Sequence, residues 1–268
     1  MKNKWTILLV LSFLMLVQKG KSQTSIKGDF SWIQVDHMDR IYAIHKQNEI
    51  SKLNSKGQTL ASASFKLLGT LDILDVTNPL KPLLYFENAN VCVITDNTFS
   101  ELTRYDFNRM DFNQVSLCCH SQEDGLWFYN GADLQLKRIN RDGKVIHESQ
   151  SISYLINQNR VEDLSPTYMR EYGNNVYISF PSVGIMVFDQ YGNYAKTISF
   201  KGIKTFYVSG NVLYYVKDGS IFRYDLETFE QKAINLPEDL KPEKIQTMAW
   251  SNGKVYLLHA EGIKIVKP

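Results

Sequence analysis

Cysteine is scarce in this sequence: Cys92, Cys118 and Cys119 are the only three among 268 residues. No two form a CxxC pair, so a zinc site built from four close ligands has no framework. Three cysteines are also too few for a disulfide-built fold. One bridge, from Cys92 to Cys118 or Cys119, stays open in an oxidising compartment. The plainer expectation is three small apolar side chains on buried strands. Proline numbers only seven and charged residues make up 22%, which is unlike a disordered chain. No stretch carries an apolar period of 3.6 residues over three turns, so long amphipathic helices are not expected. HExxH, GxSxG, the phosphate-binding loop and GxGxxG are all missing. Asp-Gly occurs at 124–125, 142–143 and 218–219, but none continues into the alternating acidic loop that calcium needs. These pairs read as hairpin turns.

Long apolar runs are also lacking, with one exception. Met1-Lys2-Asn3-Lys4 is followed by apolar Trp5 to Val17, then by Gly20 and Ser22. That is the order of a secretory signal peptide, with the small residues placed for cleavage. The run is short of the roughly 20 residues that span a membrane. The expected division is therefore a signal peptide over 1–22 and one mature domain over 23–268, exported to the periplasm. No cysteine follows the run, so no lipid anchor is expected there. The segment also distorts the charge. Its four lysines account for the net +2; without them 30 basic residues become 26, against 28 acidic. A near-neutral mature chain has no basic patch for nucleic acid or anionic lipid.

What the sequence does contain is aromatics, 12% of residues, and a repeat. Asp39-Arg40-Ile41-Tyr42-Ala43-Ile44 has counterparts at Asp124–Tyr129, Asn174–Ile178, Gly210–Tyr215 and Asn252–Leu258, with a looser copy at Asn88–Thr95. Each begins in a polar turn of Asn, Asp or Gly, residues that tolerate the positive φ of tight hairpins. Each continues as an alternating strand of aromatic and β-branched residues, then a short link and a second strand. Anchors at Tyr42, Val93, Trp127, Tyr177, Tyr214 and Tyr256 give about 43 residues per unit, the size of a four-stranded propeller blade. The expected fold is all-β: a single β-propeller of six four-stranded blades, with five or seven as variants. A ring of this kind closes best when both ends of the chain share a blade. The segments Ser25–Val35 and Ile263–Lys267 suit that role.

Two groups of residues are candidates for function. Asp36, Asp75, Glu123 and Asn175 stand at strand starts, where acidic and amide groups can converge on a propeller axis and hold a metal. The same residues serve as turn formers. The second group lies in two stretches that mix aromatics with Arg, a combination enriched at protein interfaces. They supply Tyr105, Phe107, Arg109 and Phe112 from the first, and Tyr168, Arg170 and Tyr172, with Tyr154 and Arg160, from Ser151–Tyr172. These are expected to contact a protein partner. Catalytic residues, metal and cofactor are expected to be none.

The blade at Ile33–Gly57 resembles an NHL-type repeat. More specific is Asp75-Val76-Thr77-Asn78-Pro79-Leu80-Lys81-Pro82, running through Leu83–Phe86 to Asn90–Asn97, together with Gly125-Leu126-Trp127-Phe128-Tyr129-Asn130. These stretches resemble a group of small exported β-propeller proteins of Bacteroidota. The resemblance implies a periplasmic accessory of the type 9 secretion system, a non-enzymatic scaffold that binds outer-membrane translocon components. It would be peripheral to the outer membrane through proteins rather than a lipid anchor. It carries over no catalytic residue. The vicinal Cys118-Cys119 and the long Ser151–Tyr172 segment depart from that pattern. The rival expectations are an exported hydrolase or lyase with an axial metal, and a propeller that binds glycans or peptides.

Overall fold

The computed structural model describes residues 24–45, 49–154, 164–235 and 245–267. The expected signal peptide lies outside them, as does Arg160. The described chain forms six four-stranded antiparallel sheets. Blade one runs outward through β2 (Phe30–Val35), β3 (Ile41–His45), β4 (Glu49–Leu53) and β5 (Thr59–Ser64). Blade two is β6 (Ile73–Asp75), β7 (Leu83–Phe86), β8 (Val91–Thr95) and β9 (Glu101–Asp106). Blade three is β10 (Val115–His120), β11 (Leu126–Asn130), β12 (Gln135–Ile139) and β13 (Val145–Glu148). Blade four is β14 (Tyr168–Tyr172), β15 (Asn175–Phe180), β16 (Gly184–Asp189) and β17 (Tyr194–Ile198). Blade five is β18 (Phe206–Ser209), β19 (Val212–Lys217), β20 (Ser220–Asp225) and β21 (Gln231–Ile234).

Blade six closes the ring. Its first three strands, β22 (Thr247–Ser251), β23 (Lys254–His259) and β24 (Gly262–Val266), come last in the chain. Its outermost strand is β1 (Thr24–Lys27), which pairs antiparallel with β24 from Thr24↔Ile265 to Lys27↔Gly262. The shared-blade expectation holds, with one refinement. Ser25–Val35 divides between β1 of blade six and β2 of blade one. Gly262 has φ 132, and a Cβ there would overlap the Ile26 carbonyl oxygen. Only glycine lets the two strands approach this closely.

The core lies between blades. Buried apolar residues fall into six clusters, one at each junction of neighbouring sheets. The second strand of each blade sends one large ring into the junction with the next. Tyr42, Trp127, Tyr177, Tyr214 and Tyr256 all do this. Blade two departs from the expected phase. Val93 lies on its third strand, and the ring that fills the junction with blade three is Tyr85 on the second. Putting Tyr85 in place of Val93 replaces spacings of 51 and 34 residues by 43 and 42. The cause is local. The link from β6 to β7 is a proline-bearing loop rather than an Asn/Asp/Gly hairpin, so the repeat's usual flag is missing there.

All three cysteines are buried and free. Cys92 and Cys118 share the junction of blades two and three, while Cys119, pointing the other way from β10, enters the junction of blades three and four. Burial, together with the Cys92 thiol to which it is hydrogen-bonded, pushes the Cys118 thiol well above its ordinary value. They fit the expectation of small apolar fillers.

Candidate functional site

The first strand of every blade faces the axis, and the turns after it form one end of the ring. Acidic side chains at this end act as staples. The Asp36 carboxylate accepts the amides of Met38 and Arg40, the Arg40 guanidinium at 2.7 Å and the Tyr42 hydroxyl at 3.2 Å. Asp75 accepts the Thr77 amide at 2.8 Å and, from blade three, the His120 amide at 2.8 Å. Burial alone would raise Asp75, but the His120 charge and these donors bring it below the usual carboxylate range. Glu171 of blade four accepts the Gln122 amide of blade three at 2.6 Å. Burial raises its carboxyl above the ordinary value.

Of the four residues expected at the axis, Asp36 and Asp75 line an axial cavity. Glu123 points outward, 76% exposed, and pairs with Arg138 of β12. Asn175 begins β15, a second strand, opposite Tyr172. Among the described residues no three of His, Cys, Asp and Glu gather as metal ligands.

The seven residues expected to meet a partner separate into three places. Tyr105 is on β9, not in a loop; it is buried, and its hydroxyl donates to the Arg141 carbonyl at 3.1 Å. Phe107 is fully buried between Tyr85 and Phe128, with ring centres 5.9 and 5.0 Å away. Both fill the junction of blades two and three, so neither presents its ring to a partner. Phe112 caps the same cluster, 4.9 Å from Phe128, and is half-buried. The loop is pinned by the Asn90 side-chain amide, which donates to the Asn108 side chain and the Phe112 carbonyl. Arg109 alone of this group is open to solvent, beside Asp106.

Tyr168, Arg170 and Tyr172 occupy β14, the axial strand of blade four. Tyr168 and Arg170 line the axial cavity. The Tyr172 hydroxyl accepts the Gly210 amide of blade five at 2.6 Å. The expectation for this stretch rested on its Arg and aromatics; its alternation, Tyr-Met-Arg-Glu-Tyr, is the mark of a strand. Gln34 and Tyr207 complete this wall and were missed. Both sit on first strands of blades, a placement that only the correct strand phase discloses.

A larger cleft, ≈ 390 Å³, opens between blades two and three. The proline-bearing link contributes Asn78 and Lys81, β9 contributes Leu102 and Thr103, and blade three contributes His120, Gln122 and Arg141. The His120 ring N–H donates to the Lys81 carbonyl, tying the link to blade three. Arg141 lies 3.5 Å from Asp124 on the rim.

No protein-family model matches the sequence, and no curated protein matches it. Solved structures do match in shape. A streptogramin B lyase superposes with a TM-score of 0.60 at 11% identity, over 91% of this chain and 96% of the lyase. A catalytically inactive virginiamycin B lyase of Staphylococcus aureus with quinupristin gives 0.58 at 15%, over 92% and 88%. PorZ, a surface component of the type-IX secretion system of Porphyromonas gingivalis, gives 0.52 at 17%, over 74% of this chain and 26% of PorZ. The likeness is one of fold. A fold shared by lyases and a secretion component leaves function to the residues.

Proposed function

We propose that this chain is a non-enzymatic β-propeller scaffold, exported to the periplasm, that docks protein partners of an outer-membrane export complex. The observation that carries this is the position of the cleft between blades two and three. Both stretches that resemble exported Bacteroidota propellers lie in these two blades, and Asn78, Lys81, Ile94 and Gly125 from them line it. Leu102, 54% exposed, stands in its wall beside Lys81, Gln122 and Arg141. An exposed apolar side chain among amides and cations suits a protein interface. The staples at Asp36, Asp75 and Glu171 give the adjoining face rigidity. PorZ, as a type-IX secretion component of similar fold, agrees with the reading.

The test is recovery of a defined partner. Tagged protein is purified from its own organism in mild detergent, beside a Lys81→Glu/Leu102→Arg variant. An outer-membrane export barrel should accompany the first and be lost from the second. Equal recovery with both, or none with either, overturns the cleft as the docking site.

A second reading rests on the near full-length match to lyases that act on streptogramins. Incubation with quinupristin decides it: conversion to a new product would replace the scaffold with an enzyme, and unchanged quinupristin would leave the scaffold standing.

A further inference from the structure

The axial cavity is small, ≈ 50 Å³, and its wall is polar. Gln34 comes from blade one, Asp75 from blade two, Tyr168 and Arg170 from blade four, and Tyr207 from blade five. Arg170 brings a permanent positive charge, because a guanidinium does not deprotonate in a protein. Its guanidinium carbon lies 4.7 Å from the centre of the Tyr207 ring, which covers one face. The Tyr168 hydroxyl is within hydrogen-bonding reach. The Arg170 Nε is buried and has no hydrogen-bond partner.

Arg170 is half-buried, and a cation drawn partly out of water is steadied by a counter-charge or by acceptors. The Asp75 charge favours the guanidinium from a distance, but neither carboxylate in the cavity wall accepts a hydrogen bond from it. Asp36 spends both oxygens on Arg40, Tyr42 and two amides, and Asp75 spends both on the Thr77 and His120 amides. Arg170 forms no ion pair with a described carboxylate. The cation is therefore built into the ring with its Nε–H left without an acceptor.

We propose that the axial cavity is a carboxylate-binding site anchored by Arg170. The guanidinium edge matches a carboxylate in plane and bidentately, and stacking on Tyr207 leaves that edge open. Gln34 and Tyr207 add polar side chains to the same wall. Size selects too. One water needs about 10–15 Å³ of such space, so the cavity admits a group of a few heavy atoms. The negative charges of Asp36 and Asp75 in the wall disfavour a dianion such as phosphate. The carboxylate belongs either to a free small acid or to the terminus of a peptide. The proposal does not rest on the scaffold reading.

The experiment uses the full mature protein labelled with ¹⁵N at arginine side chains. The Arg170 Nε–H signal is assigned by its loss in Arg170→Met, or in Arg170→Lys if the first variant does not fold. Acetate is titrated at constant pH and ionic strength, with chloride as control. The signal should move saturably with acetate and stay in place with chloride. Acetate affinity, measured by titration calorimetry on both proteins, should fall by at least about tenfold in the variant, the worth of a charge-assisted bidentate pair. A short peptide with a free C-terminus is then compared with its amidated form. Tighter binding of the free form identifies a chain terminus as the source, and binding of acetate alone identifies a free acid. An Nε–H signal unmoved by acetate and by both peptides overturns the site.

Discussion

The Lys254 ammonium lies 2.5 Å from the Asp39 carboxylate, although 215 residues separate them. The pair bridges blade six and blade one on the turn face. Asn252 donates alongside it to the His37 carbonyl and to Asp39, and the Ser251 hydroxyl donates to the Asp36 carbonyl. Burial pushes Asp39 up, but the hydrogen bond and charge of Lys254 leave it below the usual range. A depressed carboxyl stabilises the fold above its unfolded pKa, and that contribution fades as pH falls through the folded value. Both side chains are partly exposed, so a double-mutant cycle of Asp39→Ala and Lys254→Ala in urea unfolding should give a coupling of about 1 kcal/mol. Additive single effects would mean this ion pair adds nothing to the strand pairing and hydrogen bonds that join blades six and one.

Phe107 and Arg109 stand two residues apart and should behave oppositely. Phe107→Ser empties a ring from between Tyr85 and Phe128 and should cost at least about 3 kcal/mol. Arg109→Ala should stay within about 0.5 kcal/mol, since its side chain is 87% exposed. Chemical unfolding of both variants checks this. A silent Phe107→Ser would return that ring to the surface.

Glu171 predicts a pH effect of the other sign. Its carboxyl is raised, chiefly by burial, so the folded state holds that proton more tightly than the unfolded chain. Its contribution is complete below the ordinary glutamate pKa and declines as pH rises through the folded value. Glu171→Gln keeps an acceptor for the Gln122 amide and removes the titration. Unfolding free energies measured from acidic to neutral pH should show the variant gaining on the parent as pH rises. Parallel curves would remove Glu171 from the account.

Gly262→Ala places a methyl group against the Ile26 carbonyl and holds alanine at a φ that glycine prefers. The expected cost is on the order of 2 kcal/mol. Amide exchange should localise the loss to β1 and β24. Uniform protection across all blades would contradict it.

The ring was legible in the sequence because five of its six blades announce their second strand twice. A turn of Asn, Asp or Gly precedes it, and a large ring follows at the same place, as at Asp39 and Tyr42 or Asn252 and Tyr256. Tyr85 escaped because Pro79 and Pro82 replace that turn. The site was less legible. Arg170 and Tyr168 stand out by residue type, but a sequence does not say whether an Arg beside aromatics faces solvent or an axis. That depends on which strand of the blade is innermost. Phe107 was misplaced for a related reason. Its neighbours Asp106, Asn108 and Arg109 are polar, and nothing local reveals that β9 ends by turning this one ring into the seam with blade three.

The pairing of β1 with β24 bears on how the ring assembles. Every other sheet contact joins strands that are neighbours in sequence, so five blades and most of the sixth can form from local hairpins. The last contact closes a loop containing the entire ring, at an entropic cost that grows only slowly with length. Until then β24 shows a bare edge rich in Ile and Val, open to the same strand of another copy. Exchange of β1 between two molecules would satisfy both edges equally well. Refolding at high concentration should therefore trade intramolecular closure for strand-swapped dimers, with the balance set by concentration rather than by any change in the blades.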